Sequence, residues 1–192
     1  CRPPTILGMA QKFDVCIRGD GMVGRTLALL LARQRLRVGL VSHATQATDH
    51  HKDDVRAYSL NSASRDLLSS LRCWPDALHA TPVQHMRVWG DDGGFAHFES
   101  PTPEGLTWIV DVPTLEAQLA EAVRYQAEIT RLDAPAPAAL TVVCEGRRRS
   151  TRDELGVNFE VLPYQQHAVA ARVRGSIAHR QQALQWFAHH GK

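Results

Sequence analysis

Apolar and polar residues alternate from Phe13 to Arg18 and the run stops at Gly19, the pattern of a half-buried strand ending in a tight turn. From Met22 to Gln34 the apolar positions Val23, Leu27, Leu30 and Leu31 recur at helical spacing. Ala28 and Ala32 on the same stretch are small enough to let a helix lie close to a sheet. Val38 to Val41 predicts a second, buried strand. Together the three pieces form a βαβ unit of about 30 residues, the length that a right-handed crossover requires.

The polar stretch His43 to Asp54 has no periodicity and predicts a loop. Asn61 or Ser62 then caps a helix carrying Leu67, Leu68 and Leu71, and Pro75 closes that region. Gln84 to Trp89 and Phe95 to Phe98 alternate on either side of Asp91-Asp92-Gly93-Gly94, and Leu106 to Val110 follows. This predicts antiparallel sheet. Pro113 suits the first turn of a helix that buries Leu115, Leu119, Ala122 and Val123. Leu132 to Ala139, with Pro135 and Pro137, predicts a stiff connector before a buried strand at Leu140 to Cys144. Phe159 to Val161, His167 to Val173 and Leu184 to Ala188 are the last expected strands.

Gly19-Asp20-Gly21-Met22-Val23-Gly24 is a GxGxxG motif set between the first strand and the helix, the context that gives this short pattern its meaning. The first glycine permits the turn, the second lets backbone approach a pyrophosphate, and the third lets the helix pack on the strand. The helix amino terminus adds free N–H groups and a partial positive charge, and Met22 and Val23 belong to that first turn. The alternative is a glycine-rich turn without a ligand. An acidic residue that grips the ribose hydroxyls is expected about 20 residues on, at the end of the second strand. Ser42 stands there instead, followed by His43. Asp20 brings a negative side chain into the loop, which costs affinity for an anion if it points inward.

Composition narrows the remaining classes. The chain has 192 residues, 44% of them hydrophobic and 22% charged, which is ordinary for a folded globular protein. A formal net charge of +2 is too small for a nucleic-acid binder, and the dense run Arg147 to Arg149 predicts a solvated turn. The four cysteines, Cys1, Cys16, Cys73 and Cys144, form no CxxC pair, so reduced thiols are expected. The adjacent pairs His50-His51 and His189-His190 lack acidic or cysteine partners at ligand spacing, so no metal site is expected. No apolar run approaches the roughly 20 residues of a membrane span.

With these elements placed, Phe13 to Val41 resembles the opening of FAD-dependent monooxygenases of the para-hydroxybenzoate hydroxylase fold. Asp54 to Asn61 with Ser64 is similar to the R-x-x-x-L-x-x-x-S segment of the aromatic hydroxylases of ubiquinone biosynthesis. Tyr164-Gln165-Gln166-His167-Ala168-Val169 resembles the Y-x-Q-x-A-[IV] strand of the same family. Glu145-Gly146, followed by Arg152, resembles a second flavin motif, D-G-x-x-S-x-x-R, with Glu145 in place of the aspartate and Arg149 in place of the serine. Arg18 and Arg35 also depart, where the family has an apolar residue and a glycine.

The resemblance implies FAD as cofactor, NAD(P)H as transient reductant, and an aromatic, polyprenylated precursor as substrate. It implies cofactor contacts at Gly19, Gly21, Met22, Val23, Gly24, Ser42, Arg56, Glu145, Gly146 and Arg152. No side chain is identified as catalytic, since the cofactor carries the hard chemistry in such enzymes. The expected architecture is α/β: a Rossmann-like FAD/NAD(P)-binding βαβ sheet formed by 13–83 and 125–157, with a partial antiparallel β-sheet substrate domain at 84–124 and 158–192. Residues 1–12 are expected to be an extension. The family's third flavin motif, G-D-A-A-H, does not occur, so the sequence reads as a truncated member. The alternative is a non-catalytic, degenerate nucleotide-binding remnant or accessory module. A cytoplasmic protein is expected, with peripheral membrane association and oligomerisation left open.

Overall fold

The computed structural model describes residues 12–42, 54–146, 150–158 and 160–188. Outside them lie the expected extension except Lys12, the loop after Ser42 up to residue 53, Arg147 to Arg149, Phe159, and the pairs His50-His51 and His189-His190.

By backbone proximity the chain divides at 48/49, 118/119 and 163/164 into two compact units. The first holds β1 (Phe13–Arg18), α1 (Met22–Arg33), β2 (Val38–Val41), β8 (Ile129–Leu132), β9 (Ala138–Val143) and α4 (Ser150–Glu154). The second holds β3 (Ala57–Leu60), α2 (Ser62–Ser70), β4 (Ala80–Val83), β5 (His85–Gly90), β6 (Phe95–Glu99), β7 (Thr107–Asp111) and β10 (Gln182–Phe187). α3 (Val112–Arg124) runs from the second into the first.

In the first unit the strands form one sheet, in the order β8-β2-β1-β9. All three pairings are parallel. This is the strand order of half a dinucleotide-binding fold, and it aligns the carboxyl ends of all four strands along one edge. The core is continuous: Cys16, Ile17, Val38 and Leu40 are fully buried. The helix α1 meets the sheet on the side of the small residues Ala28 and Ala32, as their size suggested, and not through Val23. Gly24, Ala28, Leu29 and Ala32 are its buried residues, whereas Val23 is 70% exposed. Gly24, Ala28 and Ala32 lie four residues apart, and that stripe of small side chains brings the helix close enough to leave the bulkier leucines on its flanks.

In the second unit β3 and β4 pair antiparallel with opposite sides of β7, and Trp108 on β7 is buried. Trp74 meets it edge-on, with ring centroids 6.0 Å apart, and the Arg65 guanidinium lies 4.6 Å from the Trp108 ring centroid. β5 and β6 form the expected hairpin. The expectation that Leu106 to Val110 would continue the hairpin sheet is corrected here. β7 belongs to a separate sheet with β3 and β4, and the third strand beside β5 is β10, which is parallel to it. The pairing of β3 and β4 with β7 places these strands in the second unit.

Asn61 caps α2 through a bond from the Ser64 N–H to its side-chain oxygen at 2.9 Å. Asp111 does the same for α3, accepting from the Thr114 N–H at 2.9 Å, and Leu115, Leu119 and Val123 are buried along that helix. Two expected strands do not form among the described residues: Glu160 and Val161 of the expected strand Phe159 to Val161 lie in no ladder, and His167 to Val173 forms none. Its apolar positions have nothing to pack against, Val169 being 94% and Val173 88% exposed, and without pairing or burial the extended pattern has nothing to hold it.

Candidate functional site

The aligned carboxyl ends of β8, β2, β1 and β9 bring Gly19, Gly21, Met22, Val23, Gly24, Ser42, Glu145 and Gly146 to one edge of the first unit. The three glycines of the loop play different parts. Gly19 has φ +112°, and a Cβ there would sit 2.6 Å from the Cys144 carbonyl oxygen. At Gly24 a Cβ would sit 1.9 Å from the Gly19 carbonyl oxygen. Both positions are closed by backbone. At Gly21 an added Cβ meets nothing within 4 Å. The loop is therefore drawn tight at its two ends and open at its middle residue.

Gly21 is also the residue from which α1 starts, and no side chain caps that start. The first-turn amides have no partner inside the helix and are available to an anion. No acidic residue occupies the first turn. Asp20 lies 3.5 Å from Arg25 and 3.8 Å from Arg131, ion pairs that offset its charge. Of the two, Arg131 is on β8, a strand the sequence pattern did not reveal. At the end of β2 the Ser42 N–H donates to the Leu132 carbonyl at 2.9 Å, while its Oγ is covered and has no hydrogen-bond partner among the described residues.

The β9 end and the segment after it form a second strand-turn-helix. Gly146 has φ +62°, the left-handed turn conformation that glycine adopts freely, and its carbonyl accepts from Arg152 Nη2 at 2.8 Å. Glu145 does not face outward. Its side chain is only 2% exposed and lies 3.5 Å from Nε of Arg18, whose Nη1 reaches Glu154 on α4 at 2.7 Å. Cys144 abuts Gly19, and burial pushes its thiol above the ordinary range.

Arg56 belongs to the second unit, at the start of β3. Asp54 holds it from two sides, accepting from Nε at 2.9 Å and Nη2 at 2.6 Å, and also accepts from the Arg56 backbone N–H at 3.0 Å. Glu116 lies 3.4 Å from Nη2. The Arg56 hydrogen bonds pull the Asp54 carboxyl down from 3.8 to about 2, and the same bonds raise Arg56 above its usual range. The partnership of Asp54 was available from its spacing two residues before Arg56; that of Glu116 was not.

This shift has a stability consequence of definite sign. A carboxyl with a depressed folded pKa stabilises the fold above its unfolded value, and that contribution is lost as pH falls through the folded value. The stability difference between wild type and Asp54→Asn is therefore expected to be full at neutral pH and to close between about pH 4 and pH 2. Urea midpoints of both proteins across that range test it. A constant difference would mean that Asp54 does not titrate in this window.

Among the described residues no group of three or more His, Cys, Asp or Glu side chains is placed to hold a metal, and no helix is long and apolar enough to cross a membrane. No family model matches the chain. In sequence it is 28% identical to the 3-demethoxyubiquinol 3-hydroxylase of Escherichia coli K12 over 126 residues, 62% of this chain and 32% of that protein. It is also 28% identical to the ubiquinone hydroxylase UbiL of Rhodospirillum rubrum over 223 aligned positions, covering 96% of this chain and 50% of that protein. The chain thus spans half the length, or less, of the curated relatives it matches.

Two solved structures show the same fold. One is PqsL from Pseudomonas aeruginosa, a probable FAD-dependent monooxygenase, with TM-score 0.64 and 20% identity over 79% of this chain and 48% of that one. The other is the p-nitrophenol 4-monooxygenase PnpA from Pseudomonas putida, with TM-score 0.55 and 16% identity over 78% of this chain and 45% of that one.

Proposed function

We propose, from this kinship with hydroxylases of ubiquinone biosynthesis, that the chain carries the dinucleotide-binding part of an FAD-dependent monooxygenase. The reaction would hydroxylate an aromatic, polyprenylated ubiquinone precursor at the expense of NAD(P)H and oxygen. The observation that carries the reading is the glycine loop: a cradle closed at Gly19 and Gly24, open at Gly21, and leading straight into the uncapped start of α1. That geometry fits a diphosphate. FAD, when bound, would supply the redox and oxygen-activating chemistry.

The chain's own residues would bind and orient it. Gly21 admits the diphosphate to the amides of Met22, Val23 and Gly24. Ser42 offers one neutral hydroxyl where a carboxylate would take two ribose hydroxyls, which makes the adenosine end the weaker one. Arg56, Glu145, Gly146 and Arg152 enter by resemblance to the family's flavin motifs. Because a polyprenyl chain partitions into lipid, the proposal includes a cytoplasmic protein that meets its substrate at a membrane surface.

Titration with FAD, followed by flavin fluorescence and visible absorption, tests the proposal. Saturable binding at one FAD per chain is the expected result. Binding of NADPH with no binding of FAD would replace the reading by a nicotinamide-dinucleotide domain. Binding of neither would leave a non-catalytic remnant or accessory module.

A further inference from the structure

Two residues depart from the family pattern at positions far apart in sequence: Arg18, where an apolar residue is usual, and Glu145, where the second motif has aspartate. In the structure they face each other. Arg18 is the last residue of β1 and is paired in register with Val143 on β9, and the Cys144 N–H donates to the Arg18 carbonyl at 2.7 Å. Their side chains continue that seam, with Arg18 12% and Glu145 2% exposed. Arg18 also pairs with Glu154, so one guanidinium lies between a carboxylate at the β9 end and one on α4.

The same seam supports the glycine loop. The next residue, Gly19, packs so tightly on the β9 end that an added Cβ would lie 2.6 Å from the Cys144 oxygen and 2.9 Å from the Glu145 nitrogen. Gly24, at the other end of the loop, rests on the Gly19 carbonyl. The path of the loop therefore depends on where the β9 end is held.

We infer that Arg18 is a positioning residue for the dinucleotide loop: with Glu145 and Glu154 as counter-ions it holds the β9 end and α4 against the root of the GxGxxG loop. In this reading Glu145 serves the lock, in place of the cofactor contact that its likeness to the second flavin motif implies. The two departures from the family compensate each other. The consequence for the cofactor rests on the FAD reading above; the lock itself does not.

Arg18→Met, Glu145→Leu and the double variant separate this role from a merely structural one. Arg18→Met removes a cation from beside the buried Glu145 carboxylate and should lower the urea midpoint, whereas an apolar pair of similar volume should restore it. Hydrogen exchange of the Gly19 to Gly24 amides is the deciding readout, since it needs no ligand. The double variant is expected to recover the midpoint but to exchange about tenfold faster in the loop than wild type, and to bind FAD about tenfold more weakly. Recovery of both midpoint and loop protection would overturn the inference, as would an Arg18→Met variant that changes neither. If the wild type itself bound no FAD, the functional reading would fail while the exchange result still decided the role of Arg18.

Discussion

Gly21→Val is expected to abolish dinucleotide binding and to leave the unfolding midpoint where it is. The backbone at Gly21 has φ −70° and ψ −176°, an extended conformation open to any residue, and an added Cβ touches nothing. Valine therefore fits the free protein. In the complex its branched side chain would occupy the space through which a diphosphate reaches the first amides of α1. Charge-assisted hydrogen bonds of this kind contribute about 1.5 to 3 kcal/mol each, so the loss of two would weaken binding by a hundredfold or more on the scale of about 1.4 kcal/mol per decade. Parallel FAD titrations and urea melts measure both halves of the claim. Equal affinity in the two proteins would reduce the loop to a turn.

Gly24→Ala should have the opposite profile, losing the fold before binding can be asked about. Alanine is favoured over glycine inside a helix by about 1 kcal/mol, so propensity alone predicts a gain. Sterics decide the sign. The new Cβ would lie 1.9 Å from the Gly19 carbonyl oxygen and 3.0 Å from its carbon, both backbone atoms with no side-chain end to swing aside. Relief requires moving α1 off the sheet, which uncovers Ala28, Ala32 and the strand residues beneath them. A net loss of about 3 kcal/mol is expected, in the upper range for overpacking. A urea midpoint equal to or above the wild-type value would show that the helix and loop part more easily than this geometry implies.

The contrast between these two glycines shows how far sequence could go. The spacing of the motif, with its flanking strand and helix, located the loop, the turn at Gly19 and the close packing at Gly24, because these contacts are local or follow from the βαβ connection. The face of α1 was legible in part. The small residues Ala28 and Ala32 marked the sheet-facing side, and the helix buries them together with Gly24 and Leu29, while Val23, apolar at helical spacing, stays exposed. β4 and β8 escaped notice because each is four residues long, with only Ala80 and Val83 buried in one and Ile129 in the other. His167 to Val173 failed the other way, its alternation having no partner to realise it. The Asp54–Arg56 pair lies within one short segment and was legible in principle. The Arg18–Glu145 pair was not, because each residue alone looks like a mismatch and only the pairing of β1 with β9 makes them neighbours.

The order β8-β2-β1-β9 also dictates the sequence of events by which the chain acquires this sheet. Synthesis delivers β1, α1 and β2 together, yet both remaining strands emerge only after α2, α3 and β3 to β7 have been made. Until then β2 has no neighbour on its outer side, and β1 none on the side that β9 will take. β2 is buried along its whole length in the finished sheet. A nascent chain therefore displays two unpaired strand edges through much of its translation, the state most open to pairing with another chain. Closing the long intervening segment costs entropy before any parallel pairing offsets it, so completion of the sheet is a slow, late step. The glycine loop shares that timing: Gly19 gains the backbone it rests on only when β9 arrives, so the loop takes its final path late in folding.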